Sequence, residues 1–385
     1  MRKRRLNDTE RRDWLRLFRS ENVGPATFLR LIEHFDDAAA ALEAAPALSR
    51  RGGRKRAIRI APADEIDGEI EALAALGGRL IALCEPEYPE ALAAIHDPPP
   101  VLSVLGDPAW LARPSVAIVG ARNASAAGRR LARELAAGIA RDGFTIVSGL
   151  ARGIDTAAHE GTLGAPGALP EASTVAVIAG GIDVVYPKEN QSLYEKIVEA
   201  GAIISEQRLG TQPTARHFPP RNRLVSGLSL GTLVVEAALR SGSLITARMA
   251  LEQGREVFAI PGSPLDPRHR GTNALIRDGA LLTETANDVT GHLMAVVPPR
   301  FDDAPEPLEN VQAIDSVSEN SPDSARLEIE NLLGPVAVSV DELLRECQLS
   351  PAVVLTVLLE MELAGRLERH PGNRVSLISQ DNRTS

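Results

Sequence analysis

The chain has 385 residues, of which 44% are hydrophobic and 3% aromatic, so we expect a core built mainly of aliphatic side chains. This length suffices for two to four domains. The two cysteines, Cys84 and Cys347, lie far apart and form neither a metal motif nor a disulfide framework, which fits a reducing cytoplasm. Because no apolar run of membrane-spanning length occurs, we expect a cytoplasmic protein without a membrane segment.

The net charge of −9 is distributed unevenly along the chain. Residues 1–113 carry 17 basic and 18 acidic side chains, residues 114–290 carry 18 and 17, and residues 301–385 carry 6 and 16. The acidity therefore lies at the C-terminal end. The near-neutral middle of the chain can still present a local basic face, so a polyanionic ligand is not excluded.

Between residues 10 and 75, apolar residues recur at helical spacing, which predicts several short helices. Gly24 and Pro25 separate two of them, and proline is well accepted at the first position of a helix. These two helices form either a structural hairpin or a helix-hairpin-helix, whose turn amides can contact a phosphate.

Apolar strands then alternate with helical segments. Strands are predicted at residues 115–120, 144–148, 174–179, 203–205, 233–236 and 257–260. Helices are predicted at residues 125–142, 190–200, 220–228, 244–253 and 271–278. This alternation indicates an α/β fold with a parallel, doubly wound sheet, because the strands are apolar throughout. Residues 81–84 and 101–105 are expected to extend the sheet at one edge.

The C-terminal part of the chain changes in composition twice. Residues 298–325 combine prolines with many acidic and small polar residues, which is typical of a solvated linker. The pattern after them predicts three helices and a β-hairpin, the elements of a winged helix. We therefore divide the chain into an N-terminal helical domain (1–78), a Rossmann-like domain (79–297), the linker, and a winged-helix domain (326–385). The acidic charge of this last domain predicts a protein-contact or regulatory role rather than contact with DNA.

Glycine-bearing loops follow the predicted strands. Glycine permits a tight turn, and the amides at the following helix start favour an anion. In an open parallel sheet the loops after the strands share one edge, where ligands bind. The candidate contacts in these loops are Arg122, Ser125, Arg152, Lys188, Asn190 and Arg248.

Three of these loops allow a second interpretation. Asp155 and His159 suit acid–base chemistry, although a side-chain bond that fixes the start of a helix is the simpler role. Arg248 can contact a ligand or pair with Glu236 inside the protein. Tyr186 can stack on a base or pack as an ordinary side chain.

The sequence Phe218-Pro219-Pro220-Arg221-Asn222-Arg223 says most about function. Proline fixes its own φ, so the two prolines are expected to hold the backbone before Arg221 extended. Arginine binds phosphate through a planar, permanently charged fork. We expect Phe218, Arg221, Asn222 and Arg223 to contact a phosphate polymer, with Phe218 stacking on a base.

Six sequences in the chain resemble motifs of the DNA-processing protein A (DprA/Smf) family. They are Gly-Ala-Arg-Asn-Ala-Ser (120–125), Ser-Gly-Leu-Ala-Arg-Gly-Ile-Asp-Thr-Ala-Ala-His (148–159), Tyr-Pro-Lys-Glu-Asn (186–190), Phe-Pro-Pro-Arg-Asn-Arg (218–223), Ser-Gly-Ser-Leu-Ile-Thr-Ala-Arg (241–248) and Arg-Glu-Val-Phe-Ala-Ile-Pro-Gly-Ser (255–263). Ala121 stands where the family usually has serine, which removes one hydroxyl donor from the first glycine loop.

The resemblance implies an extended Rossmann-like sheet flanked by an N-terminal helical domain and a winged helix. It implies a protein of natural transformation and recombination that binds and protects incoming single-stranded DNA and helps to load the RecA recombinase. It also implies a homodimer with Leu275 and Ile276 near the dimer surface, no catalytic residues, no metal and no cofactor.

The alternative is a Rossmann-like enzyme of the phosphoribohydrolase type, which uses a Gly-Thr pair and a nearby glutamate on nucleoside monophosphates. Gly231, Thr232 and Glu236 supply these residue types at a different spacing. A third hypothesis, a dinucleotide sensor, lacks the third glycine and the ribose-binding acid of such sites. Incubation with AMP separates the first alternative from a binding protein, because only the enzyme releases adenine.

Overall fold

The computed structural model describes residues 3–164, 174–296, 322–347, 349–370 and 372–378. The chain forms two compact units. The sheet unit comprises residues 1–6 and 67–301, and the terminal unit comprises residues 7–66 and 302–385. Among the described helices, none is long and apolar enough to cross a membrane.

The described elements follow one another in two groups of helices around an α/β region. The helices are α1 (Asp8–Arg19), α2 (Pro25–Phe35), α3 (Ala38–Arg51), α4 (Ala63–Ala75), α5 (Glu90–Ala93), α6 (Ala126–Arg141), α7 (Ile154–Leu163), α8 (Gln191–Ala200), α9 (Phe218–Leu228), α10 (Gly242–Glu252), α11 (Arg270–Arg277), α12 (Ala286–Val296), α13 (Pro322–Leu332), α14 (Val340–Glu346) and α15 (Pro351–Leu363). The strands are β1 (Arg79–Ala82), β2 (Val101–Gly106), β3 (Ser115–Val119), β4 (Thr145–Ser148), β5 (Thr174–Val177), β6 (Ala202–Ser205), β7 (Gly231–Val234), β8 (Glu256–Ala259), β9 (Leu281–Leu282), β10 (Val338–Ser339), β11 (Leu367–His370) and β12 (Arg374–Leu377).

A nine-stranded sheet runs through the sheet unit in the order β1-β2-β6-β5-β4-β3-β7-β8-β9. The strands from β6 to β9 pair in parallel, whereas β1 and β2 are antiparallel additions beside β6. The strand order reverses between β3 and β7, so the chain winds outward from β3 on both sides. At such a switch point the loops at the carboxyl ends diverge and leave a crevice for a ligand.

The parallel strands from β3 to β7 are buried on both faces, which explains their largely apolar sequences. In β3, Val116 and Ile118 share a core with residues of α6, α7 and α12. The alternate residues Ala117 and Val119 share a core with residues of α9 and α10. Successive side chains of a strand point to opposite faces, so each face of the sheet carries its own helical layer.

Hydrogen bonds join the two loops on either side of the switch point. Ser125 caps α6 by accepting a hydrogen bond from the amide of Gly128 at 2.8 Å. The amide of Ser125 donates to the carboxylate of Glu236, which follows β7, at 2.9 Å. The crevice therefore has a fixed floor between the loops that follow β3 and β7.

The terminal unit combines helices from both ends of the chain. The winged helix consists of α13, α14 and α15 with a small sheet in the order β10-β12-β11. Its core includes Ile329, Leu343, Val357 and Val375. Helix α15 also packs against α2 and α3, so the N-terminal helices and the winged helix share one packed unit.

The fold class expected from the sequence is confirmed, while two details differ. Pro219 and Pro220 do not hold an extended segment, because α9 begins at Phe218 and both prolines fall in its first turn. Helix α13 begins at Pro322, within the segment 298–325 that was expected to be a linker. The rest of that segment, up to residue 321, lies outside the described residues, and the domain boundaries stay a prediction.

Gly106, at the end of β2, has a φ of 85°, and a Cβ added there would overlap the carbonyl oxygen of Gly201. We expect Gly106→Ala to lower the free energy of unfolding by more than about 2 kcal/mol, through backbone strain and overlap together. Gly143→Ala is the matched control, since its φ is 91° but no atom lies within 4 Å of the added Cβ. Urea denaturation measures both variants, and equal losses would contradict the overlap.

Candidate nucleic-acid interface

Two adjoining cavities open at the carboxyl edge of the parallel strands, beside the switch point. The smaller has a volume of about 300 Å³ and is lined by the loops after β3, β4 and β5. The larger, of about 850 Å³, extends past the start of α9 to the loops after β7 and β8. The two cavities share Arg122, Asn123, Ala151, Tyr186, Pro213, Phe218 and Arg221.

Phe218, the first residue of α9, has charged and aromatic side chains around its ring. The guanidinium carbon of Arg122 lies 4.5 Å from the ring centroid and that of Arg221 lies 5.8 Å from it. The centroid of the Tyr186 ring is 6.1 Å away. A cation near an aromatic face is attracted by the ring quadrupole. The cluster thus combines cations that suit phosphates with ring faces that suit bases.

Arg221 is only 6% exposed, yet no described residue accepts a hydrogen bond from its Nε. Its guanidinium lies against the backbone of Gly149, where any Cβ would overlap it. Burial lowers the pKa of Arg221, and the charge of Asp155 partly offsets this effect. Because burying a cation without a bonded partner costs free energy, an anion in the cavity would stabilise this arrangement.

Asp155 and His159 both make hydrogen bonds within the protein, Asp155 at the start of α7 and His159 further along the same helix. The Asp155 carboxylate accepts hydrogen bonds from the amides of Gly149 and Ala151, at 3.1 and 3.4 Å, and burial raises its pKa. His159 is fully buried, with its Nδ1 2.8 Å from the hydroxyl of Thr174. Burial lowers the pKa of His159 to about 3, so the ring is neutral near pH 7.

The structure divides the residues expected to contact DNA into two groups. Those that line the cavities are Arg122, Arg152, Phe218, Arg221 and Asn222. Those that line neither cavity are Ser125, Lys188, Asn190, Arg223 and Arg248. Within the first group, Nη2 of Arg152 donates to Oε2 of Glu189 at 2.8 Å, so a phosphate there would compete with a carboxylate.

Arg223 is two residues beyond Arg221 on α9 but has a different environment. Its Nε lies 3.1 Å from Oδ2 of Asp97, and its Nη2 lies 2.5 Å from Oε2 of Glu206. The side chain is 9% exposed, so these carboxylates neutralise it inside the protein. Arg223 therefore stabilises the position of α9, which carries Arg221 into the cavity.

Other residues of the second group also have partners within the chain. The hydroxyl of Ser125 donates to Glu236 at 2.5 Å, and Asn190 donates to a backbone carbonyl of the loop after β4 at 2.9 Å. Arg248 lies 3.7 Å from Glu252, and not beside Glu236 as the second interpretation held. Glu236 is 1% exposed and lines neither cavity, so the glutamate of the enzymatic alternative is buried in the crevice floor and bonded to Ser125.

The larger cavity also contains residues that were not predicted as contacts, although three of them lie in the family-like motifs. They are Asn123, Arg240, Ser241, Ser243 and Arg268. Arg240 is exposed, whereas Arg268 forms a two-pronged ion pair with Asp266. Asn123, Arg240, Ser241 and Arg268 follow β3, β7 or β8, and Ser243 lies in the first turn of α10 after β7. The rule that such loops share an edge could therefore have found them, had it been applied to every polar loop residue.

Comparison with known proteins supports the motif resemblance. Residues 79–294 match the family model described as DNA recombination-mediator protein A, abbreviated DprA. The chain belongs to the DprA family. Residues 8–72 match the DprA-like N-terminal HHH domain, and residues 315–373 match the DprA winged helix domain.

Individual DprA relatives are similar over much of the chain. The DNA processing protein DprA of Bacillus subtilis is 44% identical over 214 residues, which cover 55% of this chain and 70% of the relative. Protein Smf of Escherichia coli is 40% identical over 296 residues, which cover 75% of each. The X-ray structure of DprA from Streptococcus pneumoniae has a TM-score of 0.61 and 32% identity, covering 75% of this chain and 98% of that one.

Arg221 and Arg223 of this DprA protein allow a matched test of stability. We expect Arg221→Met to change the free energy of unfolding by less than about 1 kcal/mol, because no hydrogen bond to a described residue is lost. Arg223→Met should cost about 3 kcal/mol or more, because it leaves Glu206 buried without this cation. Chemical denaturation measures both losses, and a similar loss for the two variants would contradict the assigned environments.

Proposed function

We propose that the chain binds single-stranded DNA without strong sequence preference along the carboxyl edge of its parallel sheet. The observation that carries this proposal is Arg221, a buried cation that faces the cavities without a hydrogen bond from Nε to any described residue. A DNA phosphate has the charge and the acceptor oxygens that this side chain lacks. Membership of the DprA family supports nucleic acid as the source of the phosphate.

Along this edge the cations and the rings have separate tasks. Arg221, Arg122 and Arg152 neutralise phosphates, and Arg240 extends the track through the larger cavity. Phe218 offers a base a stacking surface worth about 1–3 kcal/mol. Every base has such a face, so this binding tolerates any sequence.

The remaining residues expected at the interface take two roles in this proposal. Lys188, which is exposed, and Asn222, which lines the larger cavity, add backbone contacts at the rim. Ser125 and Asn190 fix the loops that hold the arginines, through the hydrogen bonds described above. Arg248 is exposed enough to exchange its glutamate partner for a phosphate.

We propose further that the protein has no catalytic activity and acts in the cytoplasm. The groups best suited to chemistry are occupied, since Glu236 is bonded to Ser125 and His159 is buried and neutral. Release of adenine from AMP would contradict this part of the proposal.

We propose two protein partners, a second copy of the chain and the RecA recombinase. Leu275 and Ile276 are half-buried on α11, and the neighbouring strand β9 carries Leu282, which is 52% exposed. Burial of this apolar surface favours a homodimer. Light scattering of Ile276→Glu tests it, and an unchanged mass would contradict it. For RecA, the measurement is whether the protein speeds recombinase assembly on protected single strands.

We expect Arg221→Gln to weaken oligo-dT binding by roughly tenfold or more, because a charge-assisted hydrogen bond is worth about 1.5–3 kcal/mol. The dependence of log affinity on log salt should become shallower by roughly 0.7, the contribution of one phosphate. Fluorescence anisotropy over a salt series measures both quantities. Arg130→Gln is the control with the same change of charge. Arg130 is 81% exposed on α6, pairs with Glu134 and lines neither cavity. Equal affinities for the two variants would contradict the site.

Phe218→Leu separates stacking from charge. We expect it to weaken oligo-dT binding by about 1 kcal/mol or more while the salt dependence stays as in the unmodified protein, because no phosphate contact is removed. A shallower salt dependence would instead show that Phe218 acts mainly by positioning Arg122, whose guanidinium lies over its ring. The same anisotropy series provides the measurement.

A further inference from the structure

The terminal unit has a strongly basic segment between α3 and α4. Residues 50–59 contain Arg50, Arg51, Arg54, Lys55, Arg56 and Arg59, and residues 44–63 contain no acidic side chain. Arg54 pairs with Glu21 at 2.5 Å. Arg50, Arg51, Lys55 and Arg56 are exposed and form no ion pair with any described residue. These four side chains are called the basic segment below.

The backbone under the basic segment is held in place. Helix α3 ends at Arg51, and the amide of the following Gly52 donates to the carbonyl of Leu48 at 2.9 Å. The hydroxyl of Ser49 accepts a hydrogen bond from the amide of Ile58 at 3.1 Å, which closes the segment into a loop. The loop therefore presents its cations from a defined backbone, and less conformational entropy is lost when they meet a ligand.

The winged helix supports this loop from within the same unit. A Cβ added at Gly52 would overlap the carbonyl of Glu360 on α15, so the turn lies directly against that helix. Nearby, Glu362 accepts hydrogen bonds from Thr27 and Arg30 of α2, each at 2.8 Å. Arg369 of β11 donates to the same carboxylate at 3.1 Å. One carboxylate thus joins the winged helix to the N-terminal helices.

This packing uses the helix with which a winged helix ordinarily enters the DNA groove. In helix-turn-helix proteins the second helix of the motif reads the bases, and α15 has that position here. Leu359, Glu360 and Leu363 of α15 are buried, and Asn22 donates to the carbonyl of Leu363 at 3.0 Å. The C-terminal half of α15 is therefore packed inside the unit, and α15 carries no Lys or Arg, so the basic segment supplies a cluster of exposed cations that this helix lacks.

We propose that the basic segment is a second contact surface for the nucleic-acid backbone, braced by the winged helix. The partner chemistry is a chain of phosphodiesters, because four neighbouring cations without carboxylate partners complement a linear polyanion. The choice of nucleic acid over another polyanion rests on the function proposed above. Two contact surfaces on one chain would strengthen binding to a long strand through effective concentration, and would leave binding to a short strand unchanged.

The test uses the full chain and labelled oligo-dT of increasing length. The variant replaces all four cations of the basic segment by glutamine. We expect its affinity for the shortest oligonucleotides to equal that of the unmodified protein, and its affinity for long ones to fall about tenfold. The salt dependence for long oligonucleotides should become shallower by up to roughly 2.8, at about 0.7 for each of four phosphates. The control replaces four exposed arginines elsewhere, Arg79, Arg130, Arg133 and Arg345.

Three results would overturn the proposal. The first is an unchanged affinity and salt dependence for long oligo-dT in the basic-segment variant. The second is an equal loss in the control variant, which would assign the effect to total charge. The third is a variant that no longer binds poly-glutamate but binds oligo-dT as the unmodified protein does. This result would assign the basic segment to an acidic protein partner. Failure of the function proposed above differs from these, because Arg221→Gln would then leave binding of the shortest oligonucleotides intact.

The bracing is tested by Gly52→Val, which changes no charge but pushes the turn away from α15. We expect it to weaken binding of long oligo-dT about as much as neutralisation of the segment does. Gly24→Ala is the control, because no atom lies within 4 Å of its added Cβ. A thermal scan of each variant confirms that the terminal unit, which contains both substitutions, is folded. Native affinity for long strands in folded Gly52→Val would overturn the bracing.

Discussion

The burial of one cation, Arg221, organises the carboxyl edge of the sheet. Burying a guanidinium whose Nε has no hydrogen-bond partner costs free energy. Other contacts of α9 offset this cost and hold the helix in place. Arg223 supplies part of that hold through Glu206 and Asp97. The absence of a side chain at Gly149 supplies the space. The result is a buried charged group that lines both cavities at a fixed position.

The switch point of the sheet explains why the other groups gather around Arg221. Loops that follow β3 and β7 leave the sheet in opposite directions, and the hydrogen bonds between Ser125 and Glu236 keep the gap between them constant. Phe218 enters the same gap at the start of α9 and meets Arg122 across its ring. A strand of DNA laid along this edge would meet cations and ring faces in alternation, which suits a repeating backbone with unspecified bases.

Much of the fold could be predicted from the sequence. The central strands of the parallel sheet are short, largely apolar and buried on both faces, so their pattern indicates them directly, and the glycine loops after them indicated the edge at which the cavities open. The direction in which each arginine side chain points could not be predicted from the sequence. Arg221 and Arg223 have the same chemistry and nearly the same position in the sequence, yet one lines the cavities and the other is held by carboxylates distant in the chain.

Periodicity and residue type thus determined the doubly wound sheet, the terminal helices and the edge at which the cavities open, because these depend on local patterns and on general rules of chain winding. Only the tertiary structure decided which arginines reach the crevice, and that α15 packs against α2 and α3. The physical reason is that ion pairs and helix packing join residues far apart in the chain. Arg30 and Glu362 form such an ion pair, and no local sequence pattern predicts that these two distant residues meet.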